Sequence, residues 1–108
     1  MPFFNTGAIP PRTLAPGVNL RITWGERIMT NLVELDPGAA VPAHTHLHEQ
    51  MGYVIEGSIT MRIGDETRVL LPGDIYLAPS NVEHYVLAGD TPAKVVDIFS
   101  PPREDYLR

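Results

Sequence analysis

Apolar and polar residues alternate with a period of two along most of this chain, in short runs separated by Gly, Pro, Asn and Asp. SITMRIG (58–64) sets Ile59, Met61 and Ile63 on one side and Ser58, Thr60 and Arg62 on the other, the pattern of a strand with one buried face. VNLRITWG (18–25) and ERIMTNLVEL (26–35) read as paired strands with a hairpin at Gly25-Glu26. Asp36-Pro37-Gly38 is a turn, and MGYVIEG (51–57) reads as a buried strand. Gly64-Asp65 and Pro72-Gly73-Asp74 bracket ETRVLL, and IYLAP follows. NVEHYVLAG (81–89) and AKVVDIFS (93–100) read as the last two strands. Pro101-Pro102 ends them and leaves REDYLR as a tail with room for one helical turn. Residues 1–17, interrupted by Pro2, Pro10, Pro11 and Pro16, read as an extended arm. Its Phe3, Phe4 and Ile9 are expected to pack either on the body of the domain or across a dimer interface. About eight strands at this spacing predict an all-β fold, a single small double-sheet jelly-roll barrel over 18–108 behind an N-terminal arm over 1–17.

Composition narrows the picture. A chain of 108 residues fits one domain, and eleven prolines with nine glycines suit a turn-rich β fold better than a helical bundle. The absence of cysteine excludes disulfides and thiolate metal sites. No apolar run approaches the roughly 18 residues of a membrane span. The opening MPFFNTGAIPPR lacks the pattern of a signal peptide, so a cytoplasmic location is expected. A net charge of −5 without any basic run argues against nucleic acid as a partner. The expected partners are a small molecule and, from the proline-rich arm and the Phe3-Phe4 pair, a second copy of the chain in a homodimer.

The chemistry concentrates between Gly38 and Gly57, where His44, His46 and His48 fall within five residues and Gln50 follows closely. Imidazole and amide groups bind borderline transition metals. Two histidines one residue apart on a strand share a face, as adjacent ligands of one ion must. A continuous strand would carry Gln50 about 20 Å from His44, at ~3.3 Å per residue. Ligands of one ion lie within about 4 Å of each other. The chain must therefore turn between 46 and 50 if Gln50 is a ligand, and His48 then lies in the turn, supporting a ligand or facing solvent. His84 opens a later strand and can enter from across the barrel. The competing reading, a set of solvated turn histidines, leaves the spacing of the cluster unexplained.

A second group sits near the end of the chain. Asp97 and Phe99 share a face in VVDIF, and an acid there is costly to bury unless it is paired or used. Asp97 either forms an ion pair with Arg62 or Arg103 or takes part in chemistry. Arg103, after Pro101-Pro102, either folds back over the barrel mouth or is an ordinary exposed arginine.

The spacing resembles the two motifs of the cupin superfamily. Gly38, His44, His46, Gln50 and Gly57 follow the first, and Gly73, Pro79, Asn81, His84 and Ala88 follow the second. Asn81 replaces a glycine at a position where Asn tolerates the left-handed conformation, and Ala88 replaces a polar group that is not a ligand. The resemblance implies a cupin barrel with one divalent transition metal ion (Zn, Ni, Fe or Mn) held by His44, His46, Gln50 and His84. Gln50 stands where the family has an acid, so four neutral ligands would leave the ion its full charge. HTHLHEQMGYVIEG, PGDIYLAPSNVEH and above all DIFSPPREDYL resemble the KdgF pectin-degradation group of cupins. That resemblance implies an isomerase- or lyase-like enzyme of pectin and alginate degradation. It would linearise 4,5-unsaturated monouronates (galacturonate or mannuronate) to the 5-keto-4-deoxyuronate, with Asp97 and Arg103 catalytic and Phe99 and Arg103 binding substrate. Two other readings stay open: a cupin dioxygenase, which would consume oxygen, and a non-enzymatic sugar-sensing module.

Overall fold

The computed structural model describes residues 2–107. Its strands are β1 (Arg12–Ala15), β2 (Val18–Trp24), β3 (Met29–Leu35), β4 (Ala40–His44), β5 (Glu49–Glu56), β6 (Ile59–Ile63), β7 (Glu66–Leu70), β8 (Ile75–Ala78), β9 (His84–Ala88) and β10 (Ala93–Ser100). Short 3-10 turns occupy Thr6–Ala8 and Glu104–Tyr106, the latter in the tail where one helical turn was expected. Every strand pairing is antiparallel. A six-stranded sheet runs β1-β2-β3-β10-β5-β8 and a four-stranded sheet runs β4-β9-β6-β7. The two inner faces meet in one apolar core that includes Leu20, Met29, Val54 and Ile59, each at most 1% exposed. Each such side chain contributes roughly 1.5–3 kcal/mol relative to exposure. Among the described residues, no helix is long and apolar enough to cross a membrane.

The stretch read as an arm is partly sheet. β1 pairs with β2 through Arg12↔Leu20, Thr13↔Asn19 and Ala15↔Val18. Its own residues show no buried face, so the pairing, not an amphipathic pattern, makes it a strand. Arg21 ties down the chain before it, donating from Nη1 to Ile9 O (2.7 Å) and Thr6 O (3.2 Å) while Nε bonds Glu34 (2.8 Å). Phe3 and Phe4 are 86% and 58% exposed. They do not pack on the body of the domain, which removes one of their two expected placements.

Register places the site. β10 lies between β3 and β5, with Asp97 opposite Asn31 on one side and Gly52 on the other. Gly52 is in turn opposite Tyr76 of β8. In the other sheet, β4 and β9 bring His44 opposite His84, after an irregularity between Val41 and His44 of the kind that bends a strand locally. Asn81 takes φ 63°, the left-handed conformation expected of it, and its N–H donates to His46 O at 2.9 Å. With Ser80 Oγ donating to Leu47 O at 2.5 Å, this seats the loop before β9 on the loop before β5.

Candidate metal centre and catalytic cavity

His44 closes β4, His84 opens β9, and their ring centroids are 4.3 Å apart. His46 lies past the end of β4, in the loop to β5, with its centroid 4.8 Å from that of His84 and 5.5 Å from that of His44. One ligand-capable atom from each of the three lies within 4.8 Å of the others. The strand ends at His44, so the cluster is gathered by the loop and not by the pleat of one strand. His84 does not come from across the barrel as expected. It belongs to the strand hydrogen-bonded beside β4.

Backbone carbonyls fix which nitrogen each ring presents. Nδ1 of His44 bonds Pro42 O (2.8 Å), that of His46 bonds His48 O (2.9 Å), and that of His84 bonds Val82 O (3.1 Å). A carbonyl only accepts, so each Nδ1 carries its proton, and in a neutral ring Nε2 is then a lone pair. Burial, helped by the charge of Arg103 and by His84, lowers the His46 pKa to about 4. Burial also lowers that of His84, against the Val82 carbonyl bond, which raises it. His84 Nε2 is buried without a hydrogen-bond partner among the described residues.

Gln50, on β5, is 5% exposed. Its Nε2 donates to the Tyr76 hydroxyl at 2.6 Å, and that hydroxyl donates to Asp97 Oδ1. Gln50 Oε1 consequently faces His46 Nε2 at 3.0 Å. Two lone pairs opposed at that distance repel unless a cation lies against both. With the partnerless Nε2 of His84, this donor set fits a divalent transition metal and makes the cluster a candidate metal site. His48 is in the turn, as expected, but it is buried. Its carbonyl holds His46, and its Nε2 lies 3.2 Å from Glu104 Oε2.

Asp97 has neither of its two candidate arginine partners. Arg62 pairs with Glu83 and Arg103 with Asp105, each at 2.9 Å. Asp97 accepts from the Tyr76 phenol, with Gln50 a second hydrogen-bonding neighbour, so the half-buried carboxylate is held by hydrogen bonds and not by an ion pair. Burial raises its pKa to about 6, opposed by the bonds from Tyr76 and Gln50 and by the charge of Arg103. Burial beside Asp97 also pushes the Tyr76 phenol well above its ordinary range. Phe99 is 1% exposed, with its ring centroid 5.7 Å from that of His46. Arg103 does fold back: it is 9% exposed, and its guanidinium lies 4.0 Å from the Tyr106 centroid and 5.3 Å from the Phe99 centroid. Nε and Nη2 each bond Asp105, which leaves three of the five guanidinium N–H groups for another acceptor.

These side chains share a cavity of about 480 Å³ including its open mouth, lined among others by His44, Gln50, His84, Asp97, Phe99 and Arg103. Sequence reasoning did not find Tyr76, Tyr106, Asn31 or Leu14, which line it too. The signal for Tyr76 was Gly52, an isolated glycine inside a strand pattern, which marks a close approach. Asn31, 1% exposed with Oδ1 unpartnered, carries a weaker signal as an amide within an apolar alternation.

Residues 31–99 match the family model described as the Cupin domain. The chain is 35% identical over 107 residues to the pectin degradation protein KdgF of Dickeya dadantii (strain 3937), covering 97% of each chain. KdgF from a Halomonas species has a solved structure that superposes with a TM-score of 0.90 at 33% identity, over 96% of both chains. An RmlC-like cupin from Shewanella frigidimarina superposes with a TM-score of 0.92 at 27% identity, over 98% of this chain and 96% of that one.

Proposed function

Because the chain belongs to the cupin family, and within it to the KdgF pectin degradation proteins, we propose that it linearises 4,5-unsaturated monouronates released from pectin or alginate. The observation that carries this reading is the convergence of Asp97, Phe99, Gln50 and Arg103 on the cavity that His44 and His84 line from the four-stranded sheet. The substrate is a cyclic hemiacetal with a C4=C5 double bond conjugated to its carboxylate. Opening it moves a proton from the C1 hydroxyl to C4 while the ring C1–O bond breaks, so a carbonyl forms at C1 and a ketone at C5 with no net redox change.

Asp97 would take the C1 proton as a carboxylate and return one to C4 as the acid. A pKa near 6 suits both roles at neutral pH. The free N–H groups of Arg103 would hold the substrate carboxylate in a two-point grip that lysine cannot match. Phe99 closes the inner wall against water. His44, His46, Gln50 and His84 would hold one divalent ion (Zn, Ni, Fe or Mn). When bound, it would supply Lewis-acid polarisation of the substrate oxygens.

The test is incubation of the metal-loaded protein with lyase-generated unsaturated monouronates. Loss of the double-bond absorbance should be accompanied by a ketone signal in NMR. Unchanged absorbance would sink the proposal, and oxygen uptake in the same sample would move the assignment to a dioxygenase.

The reading extends to a cytoplasmic homodimer. Met51, Tyr53, Ile55, Ile75, Leu77 and Ile98 lie exposed on the outer face of the six-stranded sheet. Met51 pairs with both Leu77 and Ile98, and Tyr53 pairs with Ile75, so they form one continuous apolar patch. A second copy of the chain is the occupant such a face fits. Sedimentation at micromolar concentration should show a dimer, and a monomer alone would refute it.

A further inference from the structure

The hydrogen bonds around Gln50 run in one direction only, and that direction is set away from the histidines. A phenol has one proton, and Tyr76 gives it to Asp97, whose carboxylate cannot donate. The lone pairs of the hydroxyl are left to accept, and the group that reaches them, at 2.6 Å, is Gln50 Nε2. The amide must therefore turn its NH2 toward Tyr76 and its oxygen toward His46, 3.0 Å away. A reversed amide would set its oxygen against a hydroxyl whose proton is committed. It would also present the histidines with an NH2 that has no lone pair to offer a metal.

Tyr76 reaches this position only because β5 makes room for it. Gly52 is the register partner of both Tyr76 and Asp97. A Cβ on Gly52 would fall among the ring atoms of Tyr76 and 2.7 Å from its hydroxyl oxygen. Gly52 is not among the positive-φ glycines, so its role is space and not backbone conformation.

We infer that Tyr76 is a positioning residue for the metal site. Its hydroxyl, seated over Gly52 and committed to Asp97, holds the Gln50 amide oxygen toward the histidines and so raises metal affinity without touching the ion. This rests on Gln50 being a ligand. An acid in that place would need no such device, because both its terminal atoms are oxygens. A glutamine is a ligand in one of its two orientations only.

The test is titration of Zn²⁺ into the metal-free, full-length chain against a chromophoric chelator, without substrate. Tyr76→Phe keeps the ring over Gly52 and removes only the hydroxyl; it should weaken Zn²⁺ affinity by about 10–100-fold, as loss of a ligand's outer partner does. In a Gln50→Glu background the same substitution should cost little, since a carboxylate has no wrong way round. Loss confined to the glutamine background supports the inference. Equal loss in both backgrounds would assign Tyr76 a merely structural role and overturn it. So would unchanged affinity in Tyr76→Phe where Gln50→Ala binds weakly. If Gln50→Ala itself binds normally, the ligand assignment of Gln50 fails and takes this inference with it, while the uronate assay still tests the activity separately.

Discussion

On the four-stranded side of the cavity, His44, His46 and His84 are each fixed by one bond from Nδ1 to a carbonyl two residues away, at Pro42, His48 and Val82. On the six-stranded side, Gln50, Tyr76 and Asp97 come from three strands and hold one another through side chains alone. The first arrangement is local: a ring and the carbonyl that orients it arrive together wherever the loop goes. The second exists only once β5, β8 and β10 are in register. Under the proposed function, the contrast would separate holding an ion from moving a proton. An ion would need rigid nitrogens on the histidine side, and short backbone tethers fix those rings. A proton carrier on the opposite side would need a carboxylate poised near neutral pH, and burial of Asp97 opposed by donated hydrogen bonds raises its pKa to about 6.

The largest effect should come from the local side. His46→Ala should lose metal and turnover together, read by metal analysis and the absorbance assay on one sample. A fully active, metal-free variant would break the comparison outright. Asp97→Asn should separate the two sides: at saturating metal its metal content stays intact while the rate falls by ~10²–10⁴, the usual worth of a general acid-base group. Arg103→Lys keeps the charge and loses the planar fork over Tyr106. A rise in KM of roughly 10–100-fold is expected from loss of charged hydrogen bonds, with metal affinity unchanged, and an unaltered KM would place the carboxylate elsewhere.

The smallest effect is a slope. The folded state raises the Asp97 pKa from 3.8 to about 6, so it binds this proton more tightly than the unfolded chain does. The contribution is fully present below about pH 4 and is lost as pH rises through about 6. Metal-free protein should therefore weaken across that window by at most about 1.4 kcal/mol per pH unit from this group. Denaturant melts at several pH values should show the slope flattened in Asp97→Asn. An unchanged slope would mean that Asp97 is less desolvated than its place beside Tyr76 implies.

What was legible in the sequence follows the same division. The period-two alternation in SITMRIG is β6, and the Asp36-Pro37-Gly38 turn separates β3 from β4, because both signals are carried by adjacent residues. The histidine cluster was legible for that reason, and the reach argument correctly demanded a turn after it. β1 was not legible. It is a four-residue strand without a buried face, beside prolines, and its conformation comes from β2. Tyr76 faces inward in the alternation of IYLAP, but its three partners, Gly52, Gln50 and Asp97, lie more than twenty residues away in either direction. Only register brings them together. The Asp97 ion pair failed as an expectation because each arginine has another acid: register brings Glu83 to Arg62, and Arg103 pairs locally with Asp105 two residues on.

The mouth of the cavity has a different construction from its interior. Leu14 of β1 and Tyr106 of the last 3-10 turn both line it, and Arg12 also stacks toward Tyr106, with its guanidinium carbon 5.8 Å from the ring centroid. β1 is the outermost strand of its sheet, and Tyr106 lies beyond β10. The aperture is thus assembled from two peripheral stretches, while the histidine cluster, Gln50 and Asp97 sit on paired strands or between them. Changes at 12–15 should reshape the opening without touching the histidine cluster or Asp97, whereas changes at 104–106 would also disturb Arg103, which stacks on Tyr106. The same arrangement makes the protein sensitive to handling: a fusion partner, a tag or a protease cut beside either stretch edits the doorway before it touches the fold.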